Sequence, residues 1–140
     1  TAETFPVING VRCSIPGDFA RLLADGSVDL LGRGSTTINT GGEKVFAEEI
    51  EAAIKTCAGV RDALVVGLPD ARFGQTIAAA VEAYDATVNA EKVIAHVRRQ
   101  LAAYKAPRHV MIVQDVGRTV TGKADYPAVT RHIVEWLQAV

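Results

Sequence analysis

The sequence predicts an α+β chain. A strip of β-hairpins leads into a small domain in which helices pack on a three-stranded, mostly antiparallel sheet. Three observations carry this. Asn9-Gly10 and Asp25-Gly26 each lie between apolar runs, the short-range signature of a hairpin. From residue 48 onward the hydrophobic period alternates between helix and strand in the order α-β-β-α-β-loop-α, which fits helices laid on an antiparallel sheet. The chain has 140 residues, of which 49% are hydrophobic. That is enough for one core, or for a small domain plus part of another.

Taken in order, Thr1 to Phe5 read as a helix end or a tail. Val7-Ile8-Asn9-Gly10-Val11-Arg12-Cys13 places Asn-Gly between apolar residues, a first hairpin signal. Ser14-Ile15-Pro16-Gly17-Asp18 is a turn punctuated by proline and glycine, with Asp18 at the end of a strand. Phe19 to Ala24 and Ser27 to Leu31 form a second hairpin around Asp25-Gly26. Gly32-Arg33-Gly34-Ser35 has the composition of a hinge, so the boundary falls between Arg33 and Thr36. Residues 1–33 are then the hairpin strip, 34–36 the hinge and 37–140 the second domain.

A short extended piece follows, then Gly41-Gly42, then a predicted helix. Its clearest part is Glu48 to Lys55, with Ile50, Ala53 and Ile54 on one face. Glu48, Glu49 and Glu51 load the first turn, where the helix dipole favours negative charge. Val60 to Leu68 is a strand that Pro69-Asp70 turns. Thr76 to Tyr84 is a second strand. Asn89 caps a helix carrying Val93, Val97 and Leu101 at a spacing of four, stopped by Lys105-Ala106-Pro107. Val110 to Val113 is the third strand, Gly117 to Lys123 a polar loop, and Tyr126 to Leu137 a closing helix with Val129, Ile133 and Leu137 on its apolar face.

The formal net charge of -1 gives no electrostatic footprint for nucleic acid. No apolar run approaches the roughly 20 residues of a membrane span, and residues 1–5 lack the blocks of a signal peptide. Cys13 and Cys57 have neither metal-ligand spacing nor a bridge framework, which reads as a reducing cytoplasm. The chain does not begin with Met, as expected of a piece of something longer.

Few residues stand out chemically. Arg33, between glycines, reaches a phosphate or hydroxyl. Gly41-Gly42 at a helix start would offer free N–H groups to an anion. Asp18 could accept from two ribose hydroxyls or cap its own turn. Lys123, in Arg118-Thr119-Val120-Thr121-Gly122-Lys123, is a compact charge on a loop that neither neighbouring element fixes; a surface role is the alternative. The stretch lacks the first glycine of a Walker A loop, and Ala124 follows the lysine. His96, His109 and His132 have no ligand spacing and read as structural or surface residues, and no metal site is expected.

Three segments in this order resemble the adenylate-forming acyl-CoA synthetase superfamily, with the nearest likeness to bacterial fatty-acid–CoA ligases. Ser14 to Asp18 resembles the family's Thr-Gly-Asp segment. Gly32 to Glu51 resembles the motif carrying the interdomain hinge and the start of the C-terminal lid. Tyr104-Lys105-Ala106-Pro107 with Arg118 to Lys123 resembles the closing motif and its catalytic lysine. The likeness spans nearly the whole chain.

The resemblance implies a two-step ligase using ATP, its Mg2+ and coenzyme A. Lys123 is the implied catalytic residue of adenylation, and Asp18 and Arg33 hold ATP or AMP. The lid then rotates about Ser35 and brings Gly41, Gly42 and Lys44 to coenzyme A. The expected partners are a missing N-terminal large domain, which holds the Mg2+ ligands, and a small carboxylic acid of the fatty-acid class. The expected location is the cytoplasm, or the periphery of a membrane. Alone, the chain should be inactive. Ser35 stands where the hinge is commonly Asp or Lys, Pro16 replaces threonine, Ala47 replaces proline, and Val116-Gly117 replaces Leu-Pro. An acyl-AMP ligase or peptide-synthetase adenylation domain would share these motifs. A non-catalytic α+β binding or regulatory module is the reading from another class.

Overall fold

The computed structural model describes the backbone of residues 7–8, 11–12, 18–22, 24–33 and 37–140, with side chains at 24–27 and 37–140. The readings of Thr1 to Phe5, of the Ser14-to-Gly17 turn, and of the hinge at 34–36 with Ser35 lie outside the described residues. In the leading strip, β1 (Val7–Ile8) pairs antiparallel with β2 (Val11–Arg12), while the Asn9-Gly10 reading itself lies outside the described residues. β3 (Asp18–Leu22) pairs with β4 (Val28–Arg33) across the Asp25-Gly26 turn. Asp18 therefore opens a strand rather than ending one, because the ladder continues to its Cα partner Arg33.

The remaining strands are β5 (Thr37–Thr40), β6 (Glu43–Phe46), β7 (Val60–Asp70), β8 (Gly74–Ala83) and β9 (His109–Val113). They make one five-stranded sheet, ordered β6-β5-β8-β7 with β9 also on β8. All pairings are antiparallel except β8 with β9. The sequence reading counted three of these strands. It missed β6, and it left β5 as a short extended piece, because four-residue strands carry too little periodicity to register.

Gly41-Gly42 is the turn between these two strands, not a helix start. Thr40 and Glu43 face each other across it, and φ is +59° at Gly41 and +84° at Gly42. Positive φ at both central residues defines the turn whose twist matches paired strands, and glycine meets it without a Cβ penalty. The first helix, α1 (Ala47–Lys55), starts only after β6. Ala47 occupies its first turn, so the proline of the resembled motif is replaced where proline is merely favourable.

The helices cover both faces of the sheet. α1 and α2 (Ala90–Gln100) supply Ile50, Ile54, Val93 and Val97 to a cluster with Ala63, Val65, Ile77, Ala79 and Val81. α3 (Tyr126–Ala139) supplies Val129 and Ile133 to a cluster with Leu64, Val66, Leu68, Ala78 and Ala80. Alternate residues of β7 and β8 thus enter opposite clusters, which explains why both strands read as unbroken apolar runs. Burying each Ile or Leu side chain contributes roughly 1.5–3 kcal/mol.

Caps and turns explain the element ends. The Asn89 side chain accepts from Lys92 N at 2.9 Å, as its sequence position predicts. α2 stops at Gln100, ahead of the expected Lys105-Ala106-Pro107; a 3-10 turn over Ala103–Lys105 intervenes. Lys105 Nζ reaches both Glu49 oxygens at 3.0 and 3.1 Å and ties that turn to α1. Pro69 and Asp70 remain in β7, and the chain turns over residues 71–73. Proline is tolerated there because β7 pairs only with β8 among the described strands. The Asp70 carboxylate accepts from Arg72 N and Phe73 N, both at 2.8 Å, and closes the turn from its side chain.

Candidate functional site

The polar segment after β9 is a built hairpin. Gly122 N donates to Thr119 O at 2.8 Å, and Thr119 N donates to Lys123 O at 2.9 Å. Lys123 N donates to Thr119 Oγ1 at 3.1 Å. Gly122 takes φ +84°. This is a three-residue loop closed by a glycine in the left-handed region, with Lys123 next to that glycine. These bonds set the internal shape of the hairpin backbone. The side chain of Lys123 is exposed, and it makes no hydrogen bond or ion pair among the described residues.

Arg118 fastens this hairpin to the sheet. Its Nε donates to Asp62 Oδ2 at 2.6 Å and a terminal nitrogen to Oδ1 at 3.1 Å. The other terminal nitrogen reaches Gly122 O at 3.3 Å. The guanidinium holds the Asp62 carboxyl below the usual carboxylate range, while partial burial opposes that. Asp62 also accepts from Ala63 N at 2.8 Å. Two residues on, Val65 N donates to Glu51 Oε2 at 2.9 Å, and Tyr126 OH donates to the same oxygen at 2.9 Å. Carboxylates thus satisfy amides along the outer edge of β7, an edge that would otherwise be open for pairing. Glu51 is only 5% exposed, and burial raises its pKa against the two hydrogen bonds that lower it. Burial and the facing Glu51 carboxylate likewise raise the Tyr126 phenol, which stays protonated as the donor. Sequence reading placed Glu51 with the dipole-facing acids of α1; only packing turns it inward.

Gly117, at the start of the polar loop, has φ +82°. Proline is locked near −65°. The Leu-Pro pair of the resembled motif therefore could not take this backbone, and Val116-Gly117 is a structural change rather than a neutral one. Val116 N is bonded to Glu82 Oε1 at 3.1 Å instead.

The second candidate loop, Gly41-Gly42, stands elsewhere. Gly41 N donates to Phe73 O at 2.9 Å. It borders a cleft of about 410 Å³ whose walls include Phe73, Arg98, Tyr104 and Arg108. The guanidinium carbons of Arg72 and Arg108 stand over the Phe73 ring, 5.1 and 4.9 Å from its centroid. Cations over an aromatic face are favourable. Glu43 also lines it, and sequence reading missed this cleft, since its residues come from four separate segments. Lys44 is exposed on β6, opposite Asn39.

The two loops sit at opposite ends of β8. Gly74 begins β8, beside Phe73 and the Gly41 turn; Glu82, near the other end, pairs with Asp62 and binds Val116 N. Eight residue steps along the strand put the β8 positions that they adjoin, Gly74 and Glu82, roughly 25 Å apart. Lys123 does not line the Gly41 cleft. Asp18 and Arg33 are Cα partners in the leading hairpin, so the structure brings that predicted pair together in register. Among the described residues, no three His, Cys, Asp or Glu side chains converge as metal ligands. His96 instead bonds Thr56 Oγ1 at 2.7 Å, joining α2 to the end of α1.

Comparison with known proteins gives this architecture its family. The AMP-binding enzyme C-terminal domain matches residues 49–123, and the chain belongs to that family. A Mycolicibacterium smegmatis medium/long-chain-fatty-acid–CoA/3-oxocholest-4-en-26-oate–CoA ligase is 54% identical over 127 residues, covering 90% of this chain and 23% of that protein. A Rhodococcus rhodochrous 3-oxocholest-4-en-26-oate–CoA ligase is 50% identical over the same share of both. The chain thus spans about a quarter of the length of these relatives. Among solved structures, apo MatB from Rhodopseudomonas palustris superposes with a TM-score of 0.80 at 32% identity, over 94% of this chain and 26% of that one. A Mycobacterium tuberculosis fatty acyl CoA synthetase gives 0.73 at 28% identity, over 90% and 25%. The helix-covered, mostly antiparallel sheet is the C-terminal domain fold these proteins share.

Proposed function

We propose that the chain is the C-terminal part of an ATP-dependent fatty-acid–CoA ligase: the last strip of a large adenylation domain (1–33), a hinge (34–36) and the lid (37–140). The observation that carries this is the pair of exposed hairpins at opposite ends of β8. One presents an ammonium without a described partner; the other, a glycine turn beside a cleft. The β8 positions that they adjoin are roughly 25 Å apart, which favours their use at separate steps. A lid that turns about Ser35 between two steps uses them in sequence.

In the first step the acid's carboxylate oxygen attacks the α-phosphorus of ATP, and pyrophosphate leaves. Lys123 stabilises the negative charge gathering on the acid and phosphate oxygens. Asp18 holds the ribose hydroxyls and Arg33 a neighbouring phosphate or hydroxyl. Mg2+ accompanies ATP, with its ligands in the large domain. In the second step the thiol sulfur of coenzyme A attacks the acyl carbon, and AMP leaves. Gly41 and Gly42 offer a wall without side chains to the incoming arm. Lys44, Arg98 and Arg108 supply cations for its phosphates. The acid is a fatty acid, in keeping with the names of the relatives. The ligase acts in the cytoplasm or at a membrane periphery; among the described residues no helix is long and apolar enough to cross a membrane.

The test is single-turnover kinetics on the full-length ligase. Lys123→Ala should lower acyl-AMP formation by about 100-fold or more, while thioester formation from supplied acyl-AMP is retained. Unchanged adenylation would return Lys123 to a surface role and leave the ligase reading without its central residue.

A further inference from the structure

We propose that Asp62 is a positioning residue for Lys123: through the guanidinium of Arg118 it sets the lysine-bearing hairpin for adenylation and has no part in thioester formation. This rests on the ligase reading above. The carboxylate is itself held, since Oδ1 accepts from Ala63 N at 2.8 Å while both oxygens receive the Arg118 fork. Arg118 then bonds Gly122 O, the carbonyl immediately before Lys123. Among the described residues this is the one hydrogen bond from residues 119–123 to a group outside the hairpin. The tip offers no apolar anchor, for Val120 is fully exposed and Thr121, Gly122 and Lys123 are exposed with it.

Internal bonds fix the shape of such a hairpin but not its angle to the sheet. The Asp62–Arg118 fork fixes that angle. A point charge in place of the fork would not, because only a planar bidentate pair sets direction as well as distance. Both side chains are largely buried, at 19% exposed for Asp62 and 30% for Arg118, so the fork contributes to stability as well as to direction, and the two roles are separated by measuring each half-reaction. The expected consequence of losing it is a displaced ammonium in an intact fold.

The experiment compares Asp62→Ala, Asp62→Asn, Lys123→Ala and the Asp62→Ala/Lys123→Ala double variant in the full-length ligase, with each half-reaction measured separately. Asp62→Ala should lower the adenylation rate at saturating ATP and acid by about 10- to 100-fold, the scale of a misplaced catalytic group. KM values should stay within about threefold and thioester formation from supplied acyl-AMP within about twofold. The double variant should adenylate no more slowly than Lys123→Ala, because Asp62 acts only through that lysine. Proportional losses in both half-reactions, or additive losses in the double variant, would overturn the proposal. Asp62→Asn keeps the shape and one acceptor and carries the same test if the alanine variant folds poorly; if neither variant folds, the pair belongs to the fold and the proposal fails. Retained adenylation in Asp62→Ala beside its loss in Lys123→Ala sinks the positioning role alone. Retained adenylation in Lys123→Ala sinks the ligase reading itself.

Discussion

Replacing Gly122 with alanine isolates backbone conformation from crowding. Gly122 sits at φ +84°, and a Cβ built there meets nothing within 4 Å. The entire cost of the methyl group is therefore the left-handed conformation, roughly 1–2 kcal/mol for an L-residue. Thr119, Gly122 and Lys123 each donate an amide inside this hairpin, so its opening is visible at those three amides. A penalty of that size raises the opening equilibrium about 5- to 30-fold. Hydrogen exchange on the peptide covering residues 117–125 of the full-length ligase should show that loss of protection, with the core of β7 and β8 unchanged. Gly122→Asn should lose less, because asparagine visits the left-handed region more readily. A D-alanine introduced by semisynthesis should lose almost nothing. Equal protection in the glycine and L-alanine proteins, or worse protection with D-alanine than with L-alanine, would refute the conformational argument.

Two more outcomes follow from the geometry. Gly42→Ala introduces a methyl into open space at φ +84°, so it should slow thioester formation from supplied acyl-AMP and leave adenylation near wild type; a coenzyme A titration of each half-reaction checks it. For Glu51→Gln the sign runs through burial. The folded-state pKa is raised above 4.5, so the stabilisation it reflects is complete below that value and is lost as pH rises through the raised one. Thermal midpoints should therefore shift in favour of the glutamine protein with increasing pH and then level off; a pH-independent difference would contradict the role of burial.

Legibility followed segment length and the reach of each signal. α2 was readable because Asn89 caps it and Val93 and Val97 repeat on its buried face. β5 and β6 were not, since the acidic, apolar-periodic run after Gly41-Gly42 imitates a helix until Val45 is seen buried in a sheet. Lys123 could be singled out by its neighbours, yet its hairpin could not, because the closing bonds depend on Gly122 adopting positive φ and Thr119 turning its hydroxyl inward. The cleft at Phe73 had no sequence signal. Arg98 and Arg108 lie on either side of a 3-10 turn and line one cleft with Phe73 only once β9 pairs with β8.

By itself the sequence determined what local physics controls: the hairpin at Asp25-Gly26, the Asn89 cap, the apolar faces of the helices, and the order of motifs that resembles a ligase lid. These depend on residues a few positions apart, whose preferences act before any long-range contact forms. Only the tertiary structure decided where charges point. Glu51 turns from solvent into the core because β7 leaves an amide there to satisfy. Asp62 meets Arg118 across 56 positions. The two candidate loops fall at opposite ends of β8 because strand pairing, a sum of many weak non-local contacts, fixes the distance between them.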